Sequence, residues 1–198
     1  MTGISRGNAV YRLLPGMGGE RGDFRALTIG NELTRIIRWM LSGSPEEYPS
    51  GITAEWVGDP DARPVEVVAG MSEAPIVSGR VADLFRAEFA ASGSVPPLRI
   101  DGTESTEWFV LLVEKVVDCL DAGRSSEPEW DGLIRKAVFR ADAVPAGLPA
   151  FRVPRSTRIY WNEWAAERLT ELAGADLEMR LVWSADPARV PHPDPWGF

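Results

Sequence analysis

Strand-like and helix-like patterns of apolar residues follow one another along this chain. Residues 10–14 predict a short strand, and the glycine-rich stretch after them predicts a loop. Apolar residues then recur at helical spacing over 33–40, with Asn31 as a candidate N-terminal cap and Gly43 just beyond the end. The first part of the chain therefore predicts a strand, a loop and a helix.

Two later segments, 75–100 and 158–183, repeat the order strand, helix, strand. In the first, PIV leads to Ser78 as a candidate cap and PLRI forms the closing strand. In the second, RIYW leads to Asn162 as a candidate cap and LEMRLVW closes the unit. The helix of the first unit is predicted from an apolar stripe of Val81, Leu84, Phe85 and Phe89, ended by Gly93. Two explanations of this likeness remain open: an internal duplication, or a chance pairing of the kind that any α+β chain offers.

Shorter strands are predicted at 52–57, 65–68, 133–139 and 150–153. Taken together, the pattern predicts an α+β fold with a mixed or mostly antiparallel sheet and two or three helices packed on it. The proline-rich tail, 186–198, cannot form a helix or a central strand. It either frays or packs its Trp196 and Phe198 on the body.

The run WFVLLVEKVVDCLD, residues 108–121, fits two structures. Its apolar residues match a helical stripe, yet residues 109–113 form an unbroken apolar run that is typical of a strand buried on both faces. We favour a strand over the first half, followed by a turn or a short second strand at VVDCLD.

Composition narrows the class of protein. The chain has 198 residues, of which 44% are hydrophobic, so it is long enough to bury a core as a single domain. Its net charge of -8 disfavours nucleic acid and anionic membranes as partners and suits a basic partner, although the charge also simply maintains solubility. A single cysteine, no signal peptide and no long apolar span predict a cytoplasmic protein.

The single cysteine, Cys119, is a poor candidate for chemistry. Asp118 and Asp121 lie within two residues of it, and negative charge raises the pKa of a thiol. One thiol without a nearby histidine also gives zinc too few of its usual ligands. We therefore predict a buried cysteine, with the two aspartates accepting hydrogen bonds in a turn.

Other candidates for catalysis are equally weak. The one histidine, His192, lies in the proline-rich tail, and the PGMGG stretch at 15–19 lacks the Lys-Ser/Thr of a phosphate-binding loop. Two acidic pairs, at 46–47 and at 59 and 61, lie beside prolines in predicted loops. The sequence thus predicts no catalytic, cofactor-binding or metal-binding residue and no cofactor. A small carboxylate-dependent hydrolase and a structural or regulatory adaptor remain alternatives.

Tryptophan is the one compositional excess, with eight in the chain. Most should be core residues, but Trp108 and Trp130 lie among acidic, loop-like residues, and tryptophan is common at binding hot spots. The predicted partner-binding residues are Glu104, Glu107, Trp108, Glu129, Trp130 and Asp131.

The order of segments resembles a family of bacterial immunity proteins from polymorphic toxin systems, in the group named after a myxobacterial immunity protein. The elements that carry the resemblance are Val77-Ser78, the VVDCLD stretch followed by Ser125, Phe151-Arg152, and the closing unit at 161–182. The match spans about residues 70–185, and residues 1–70 carry no recognised motif. Tyr160-Trp161 departs from the family pattern. The resemblance implies a non-catalytic antidote that binds a cognate toxin domain, with motif residues that maintain the fold.

Overall fold

The structure, a computed structural model, describes residues 9–16, 24–30, 32–69 and 74–197. The strands within these residues are β1 (Ala9–Pro15), β2 (Arg25–Ile29), β3 (Thr53–Gly58), β4 (Val67–Val68), β5 (Ile76–Ser78), β6 (Gly93–Ser94), β7 (Pro97–Ile100), β8 (Thr103–Val110), β9 (Leu112–Val113), β10 (Ala150–Phe151), β11 (Tyr160–Asn162) and β12 (Leu177–Ser184). The α-helices are α1 (Leu33–Ser42), α2 (Gly79–Leu84), α3 (Arg86–Ser92) and α4 (Glu163–Ala173), and short 3-10 helices cover Pro45–Glu47 and Gly174–Asp176.

The strands form two main sheets and a small ribbon. One sheet has the order β10-β11-β1-β12, the larger has the order β2-β3-β7-β8-β5-β4, and β6 pairs with β9. Within the described residues, β3 and β7 are the one parallel pair of named strands, and the other pairs are antiparallel. The predicted α+β class with a mixed, mostly antiparallel sheet is confirmed.

The two predicted strand-helix-strand units have the same topology. In the first, β5 and β7 lie on either side of β8 and both run antiparallel to it. In the second, β11 and β12 lie on either side of β1 and both run antiparallel to it. Each unit is therefore a split strand-helix-strand motif around one central strand. The central strand β8 follows its unit in the chain, whereas β1 precedes its unit.

The predicted helix of the first unit is interrupted. Ser78 caps α2 as predicted, because its Oγ accepts from the Val81 N–H at 3.3 Å. Phe85 then separates α2 from α3 with a φ of -112°. This break turns Leu84 toward solvent, so the predicted apolar stripe is wrong at that position, while Phe85 and Phe89 stay buried and stack on each other.

Capping elsewhere follows the prediction only in part. Gly43 ends α1 in the left-handed conformation, with a φ of 66°, as its place after the apolar stripe predicted. Asn162 stands at the N-terminal cap of α4, but its side chain does not cap the helix. Its Nδ2 donates instead to the carbonyl oxygens of Pro145 at 2.8 Å and Leu148 at 2.5 Å. Asn31 lies outside the described residues.

The ambiguous run at 108–121 is extended, as we favoured. It begins within β8, continues through β9 and then makes single bridges from Val116 to Arg152 and from Leu120 to Phe139. The strand predicted at 133–139, by contrast, is wrong. The backbone there bonds instead to a loop: the Ser125 hydroxyl accepts from the Val138 N–H at 3.0 Å and donates to the Val138 carbonyl at 3.1 Å, and that carbonyl also accepts from the Asp121 N–H at 2.8 Å.

The described part of the proline-rich tail packs on the body. The Trp196 ring meets the Tyr160 ring edge-on, with centroids 5.8 Å apart. The His192 N–H donates to the carbonyl of Leu181 in β12, at 2.8 Å. The tail thus covers backbone groups of an edge strand. The predicted packing of Phe198 lies outside the described residues.

Arg152 fixes the relative positions of several of these elements. It is 2% exposed, its Nε donates to the Val113 carbonyl at 2.7 Å, and its Nη1 donates to the Met40 carbonyl at 2.7 Å. The guanidinium carbon also lies 4.8 Å from the centre of the Trp39 ring. Burial lowers the pKa of Arg152 to about 10, which still leaves the group charged at neutral pH. One side chain therefore joins the end of α1 to β9.

Replacing Arg152 should destabilise the whole fold. Arg152→Ala removes the donors to two carbonyls and leaves a cavity, so we expect the free energy of unfolding to fall by about 3 kcal/mol. Urea unfolding followed by circular dichroism measures this change. Arg86→Ala, which removes an exposed arginine from α3, is the matched control and should leave the midpoint nearly unchanged. Equal midpoints for the two variants would contradict the role given to Arg152.

Candidate partner-binding site

The six predicted partner-binding residues lie on two different elements. Glu104, Glu107 and Trp108 belong to β8, where both glutamates are exposed. Trp108 is half-buried, and its ring meets that of Trp56 edge-on at 5.4 Å between centroids. Because its indole packs on the main core, Trp108 presents only part of its surface to a partner.

Glu129, Trp130 and Asp131 form a tight turn that presents Trp130 to solvent. The Trp130 side chain is 92% exposed. The turn is closed by three hydrogen bonds: Gly132 N–H to the Glu129 carbonyl at 3.0 Å, Glu129 N–H to the Leu133 carbonyl at 2.8 Å, and Leu133 N–H to Asp131 Oδ1 at 3.0 Å. The exposed indole therefore stands on a well-defined backbone.

The same turn is fastened to the body of the protein. Thr157 Oγ1 donates to the Asp131 carbonyl at 2.9 Å. Gly132 has a φ of 81°, and a Cβ at this position would meet the Thr157 nitrogen at 2.8 Å and Leu41 Cδ2 at 2.9 Å. Leu41 is itself an exposed apolar residue at the end of α1. The end of α1 and Thr157 therefore fix the position of the backbone that carries Trp130.

The charges around Trp130 are paired, which corrects the expectation of an acidic surface there. Two of the three guanidinium nitrogens of Arg135, Nε and Nη2, donate hydrogen bonds to the Glu129 carboxylate. Asp131 lies 3.6 Å from Arg158. The Arg135–Glu129 pair, in which Arg135 is exposed, contributes little to stability, but both pairs balance the charge of the surface. Close to the turn, the feature available to a partner is therefore the indole rather than a negative field.

A pocket lies close to this turn, since Arg158 lines the pocket and its Nη2 lies 3.6 Å from Oδ2 of Asp131 in the turn. Its described lining is Arg12, Leu13, Ala69, Pro75, Arg158, Ile159, Trp161 and Trp196. Arg12 is 6% exposed and donates through Nη1 to the Pro195 carbonyl at 3.1 Å. Burial, together with the nearby charges of Arg158 and Arg180, lowers the pKa of Arg12 to about 10, and the charge of Asp194 opposes this shift.

Sequence reasoning did not find this pocket. Arg12 lies between apolar residues of β1, and Arg158 and Trp196 are distant from it in the chain. No short motif or regular spacing in the sequence therefore links these three residues. The one signal was a charged residue within an otherwise apolar predicted strand. The exposure of Leu41 was missed as well. The apolar stripe of α1 predicts which residues of the helix are buried, and Leu41 lies outside that stripe at the exposed end of the helix.

Cys119 is buried, as predicted, with 0% of its surface exposed. Burial is the largest cause that raises the pKa of its thiol to about 12, and Asp118 adds to this while Arg140 opposes it. The sequence predicted the direction of the shift from the two aspartates, whereas the main cause is desolvation. Asp121 takes the predicted turn role, since its Oδ1 accepts from the Gly123 N–H at 3.1 Å.

The acidic pairs take local structural roles. Glu47 Oε2 accepts from Ser42 Oγ at 2.8 Å, and Asp59 Oδ1 accepts from the Asp61 N–H at 2.9 Å. Within residues 9–16, 24–30, 32–69 and 74–197, no group of three or more histidine, cysteine, aspartate or glutamate residues is arranged to hold a metal ion. The helices in those ranges are also too short or too polar to cross a membrane.

No protein-family model matches this chain, and no curated protein matches it either. The resemblance to bacterial immunity proteins therefore remains a prediction. The geometry of the Trp130 turn stands independently of it.

Gly132 should be required for the shape of the turn. Gly132→Ala forces a side chain into the left-handed region and against Thr157 and Leu41, so we expect a loss of about 1–3 kcal/mol in unfolding free energy. Gly147→Ala is the control, because a Cβ there has nothing within 4 Å. Thermal unfolding measures both variants. A Gly132→Ala protein as stable as the control would show that the turn relaxes freely.

The Cys119 thiol should be unreactive in the folded protein. Because the neutral thiol is favoured by burial, we expect no reaction with an aromatic disulfide reagent at pH 8 and full reaction in denaturant. The raised pKa also means that stability is retained below the ordinary thiol pKa and is lost as the pH rises toward 12, where the unfolded state ionises first. Rapid labelling of the native protein at pH 8 would contradict this account.

Proposed function

We propose that this chain is a non-catalytic immunity protein that binds a cognate bacterial toxin domain through the Trp130 turn. The observation that carries the proposal is a 92% exposed tryptophan on a turn held by backbone hydrogen bonds. Tryptophan is among the residues that most often dominate binding energy. A side chain already held on a fixed backbone also loses less conformational entropy when it is bound.

The places of the motif residues support this assignment. Val77-Ser78 forms β5 and caps α2, Cys119 in the VVDCLD stretch is buried, and Arg152 joins α1 to β9. Val77, Cys119 and Arg152 are buried and hold the fold together, whereas Val116 and Asp118 of the VVDCLD stretch are exposed. A family that keeps such residues while its members recognise different toxins would place the contacts on other surface positions, such as the Trp130 turn.

Charge contributes at longer range. The net charge of -8 favours encounter with a basic partner, even though the ions next to Trp130 are paired. Glu104 and Glu107 on β8 are exposed acids that would contribute to this field. We therefore propose that the overall negative charge of the protein attracts the toxin and that the Trp130 indole makes the tight contact. Cytoplasmic localisation is part of the proposal, because a buried free cysteine is compatible with a reducing compartment.

Trp130→Ala should weaken binding without changing the fold. We expect the dissociation constant for the toxin encoded by the adjacent open reading frame to rise about 30-fold, as for a hot-spot residue. Calorimetry on the purified pair measures this change, and growth of cells that co-express the two proteins reports protection. Val190→Ala, which truncates an exposed apolar residue of the tail, is the control and should bind as the wild type does.

Two results would overturn the proposal. The purified proteins could fail to co-elute while co-expression gives no rescue from the toxin. Alternatively, a pull-down from the native host could recover an unrelated regulatory partner through Trp130, which would favour the adaptor alternative. If binding occurs but Trp130→Ala has no effect, the toxin contact lies elsewhere, and Glu104→Ala with Glu107→Ala then tests β8.

A further inference from the structure

The strand β12 is an edge of the four-stranded sheet, and the direction of its backbone groups can be assigned. The Asp176 carbonyl, just before β12, accepts from the N–H of the residue that follows β1, at 2.8 Å. The Leu181 carbonyl accepts instead from a backbone N–H of the tail, at 2.8 Å. Because these directions alternate along a strand, Leu177, Met179 and Leu181 direct their N–H and carbonyl groups away from β1.

Four of these outward groups have no hydrogen-bond partner among the described residues. The Leu177 N–H donates to the Gly174 carbonyl, and the Leu181 carbonyl accepts from the His192 N–H. The groups without a partner there are the Leu177 carbonyl, the N–H and carbonyl of Met179, and the Leu181 N–H. Met179 and Leu181 are only partly buried. A row of such groups on an edge strand is a template for another strand.

The four groups are complementary to the same four groups of a second copy. If two copies of β12 pair antiparallel about a two-fold axis at Met179, each Met179 donates to and accepts from the other Met179. The Leu181 N–H of each copy then faces the Leu177 carbonyl of the other. Every free donor of one copy therefore meets a free acceptor of the second copy.

The charged side chains of β12 suit the same register. Pairing about Met179 places Glu178 of each copy opposite Arg180 of the other, and opposite charges across two strands are stabilising. An axis at Glu178 would instead place two glutamates face to face, which is destabilising. Glu178 and Arg180 already form an ion pair within one chain, at 2.6 Å, so the second copy adds neighbours of opposite sign to a paired charge.

The C-terminal tail passes around this edge from one face of the sheet to the other. On the face covered by α4, Arg189 contacts Glu163 at 2.6 Å, and the Tyr11 hydroxyl donates to the same carboxylate at 3.1 Å. Successive side chains of β1 point to opposite faces, so Arg12 lies on the face away from α4. There its Nη1 donates to the Pro195 carbonyl at 3.1 Å. The tail is therefore held on both faces.

The tail closes the edge without offering a new one. The prolines at 187, 191, 193 and 195 have no N–H, so this segment cannot continue the sheet as a regular strand. Between two of them, His192 uses its own N–H on the Leu181 carbonyl. His192 thus lies where Leu177 of a second copy would lie in the pairing about Met179. That pairing requires the tail to move away.

We propose that the edge of β12 is a self-association surface for a second copy of this chain and that the tail keeps it closed. The protein is a monomer while the tail is in place. Displacement of the tail allows a symmetric dimer, in which the two four-stranded sheets join through their β12 strands. The proposal does not rest on toxin binding, because the Trp130 turn lies on a different element.

Sedimentation equilibrium of full-length variants tests the proposal. Arg189→Ala combined with His192→Pro removes the tail contact on the α4 face and the hydrogen bond at the edge. We expect the dimer dissociation constant of this variant to fall by about tenfold or more relative to that of the wild type. Val190→Ala, at an exposed residue of the tail, is the matched control and should sediment as the wild type does.

Met179→Pro separates pairing at this edge from association elsewhere. Proline removes the outward N–H and leaves the hydrogen bonds to β1 intact, because the Met179 N–H does not point toward β1. Added to the released variant, Met179→Pro should restore the monomer, with circular dichroism to confirm that each variant is folded. If the released variant does not fold, His192→Pro alone decides the question, because it removes a single hydrogen bond.

Three results would overturn the proposal. The folded released variant could remain as monomeric as the wild type. Its dimer could persist after Met179→Pro, which would place the contact elsewhere. The wild type could itself be a dimer that Met179→Pro dissociates, which would show that the tail does not close the edge.

Discussion

The buried guanidinium of Arg152 is the interaction on which the rest of the structure depends. A charged group with so little exposure is tolerated only where strong dipoles surround it, and here two carbonyl oxygens and the face of Trp39 do so. The carbonyl of Met40 lies in the last turn of α1, and the side chain of the next residue, Leu41, lies close to Gly132. The position of the Trp130 turn thus depends on the core through two contacts: Arg152 with the end of α1, and Leu41 of α1 with Gly132.

Sequence periodicity predicted the regular elements well because their hydrogen bonds are local or repeat along a ladder. The helices at 33–42 and 163–173 and the strand-helix-strand order of both units follow from apolar spacing, and Gly43 and Ser78 were the correctly predicted caps. It failed at 133–139, where the alternation of residues resembled a strand but a serine hydroxyl satisfies the backbone. A side chain from another segment cannot be read from the local pattern.

The candidate site was predictable only where composition itself was unusual. Trp130 was found because a tryptophan among acidic, loop-like residues is rarely a core residue, and it is indeed exposed. The pairing of its acidic neighbours with arginines could not be predicted, since Arg135 and Arg158 reach them through the fold. The pocket was missed for the same reason: Arg12, Arg158 and Trp196 meet only after β1, the segment before β11 and the tail have assembled.

The central place of β1 in its sheet has a consequence for how this protein is made. Its neighbours β11 and β12 begin at Tyr160 and end at Ser184, so β1 must remain without its sheet partners until most of the described chain has been synthesised. Pairings between such distant segments slow folding and leave apolar strand edges open in the meantime. The sheet around β1 should therefore be among the last parts of the protein to form.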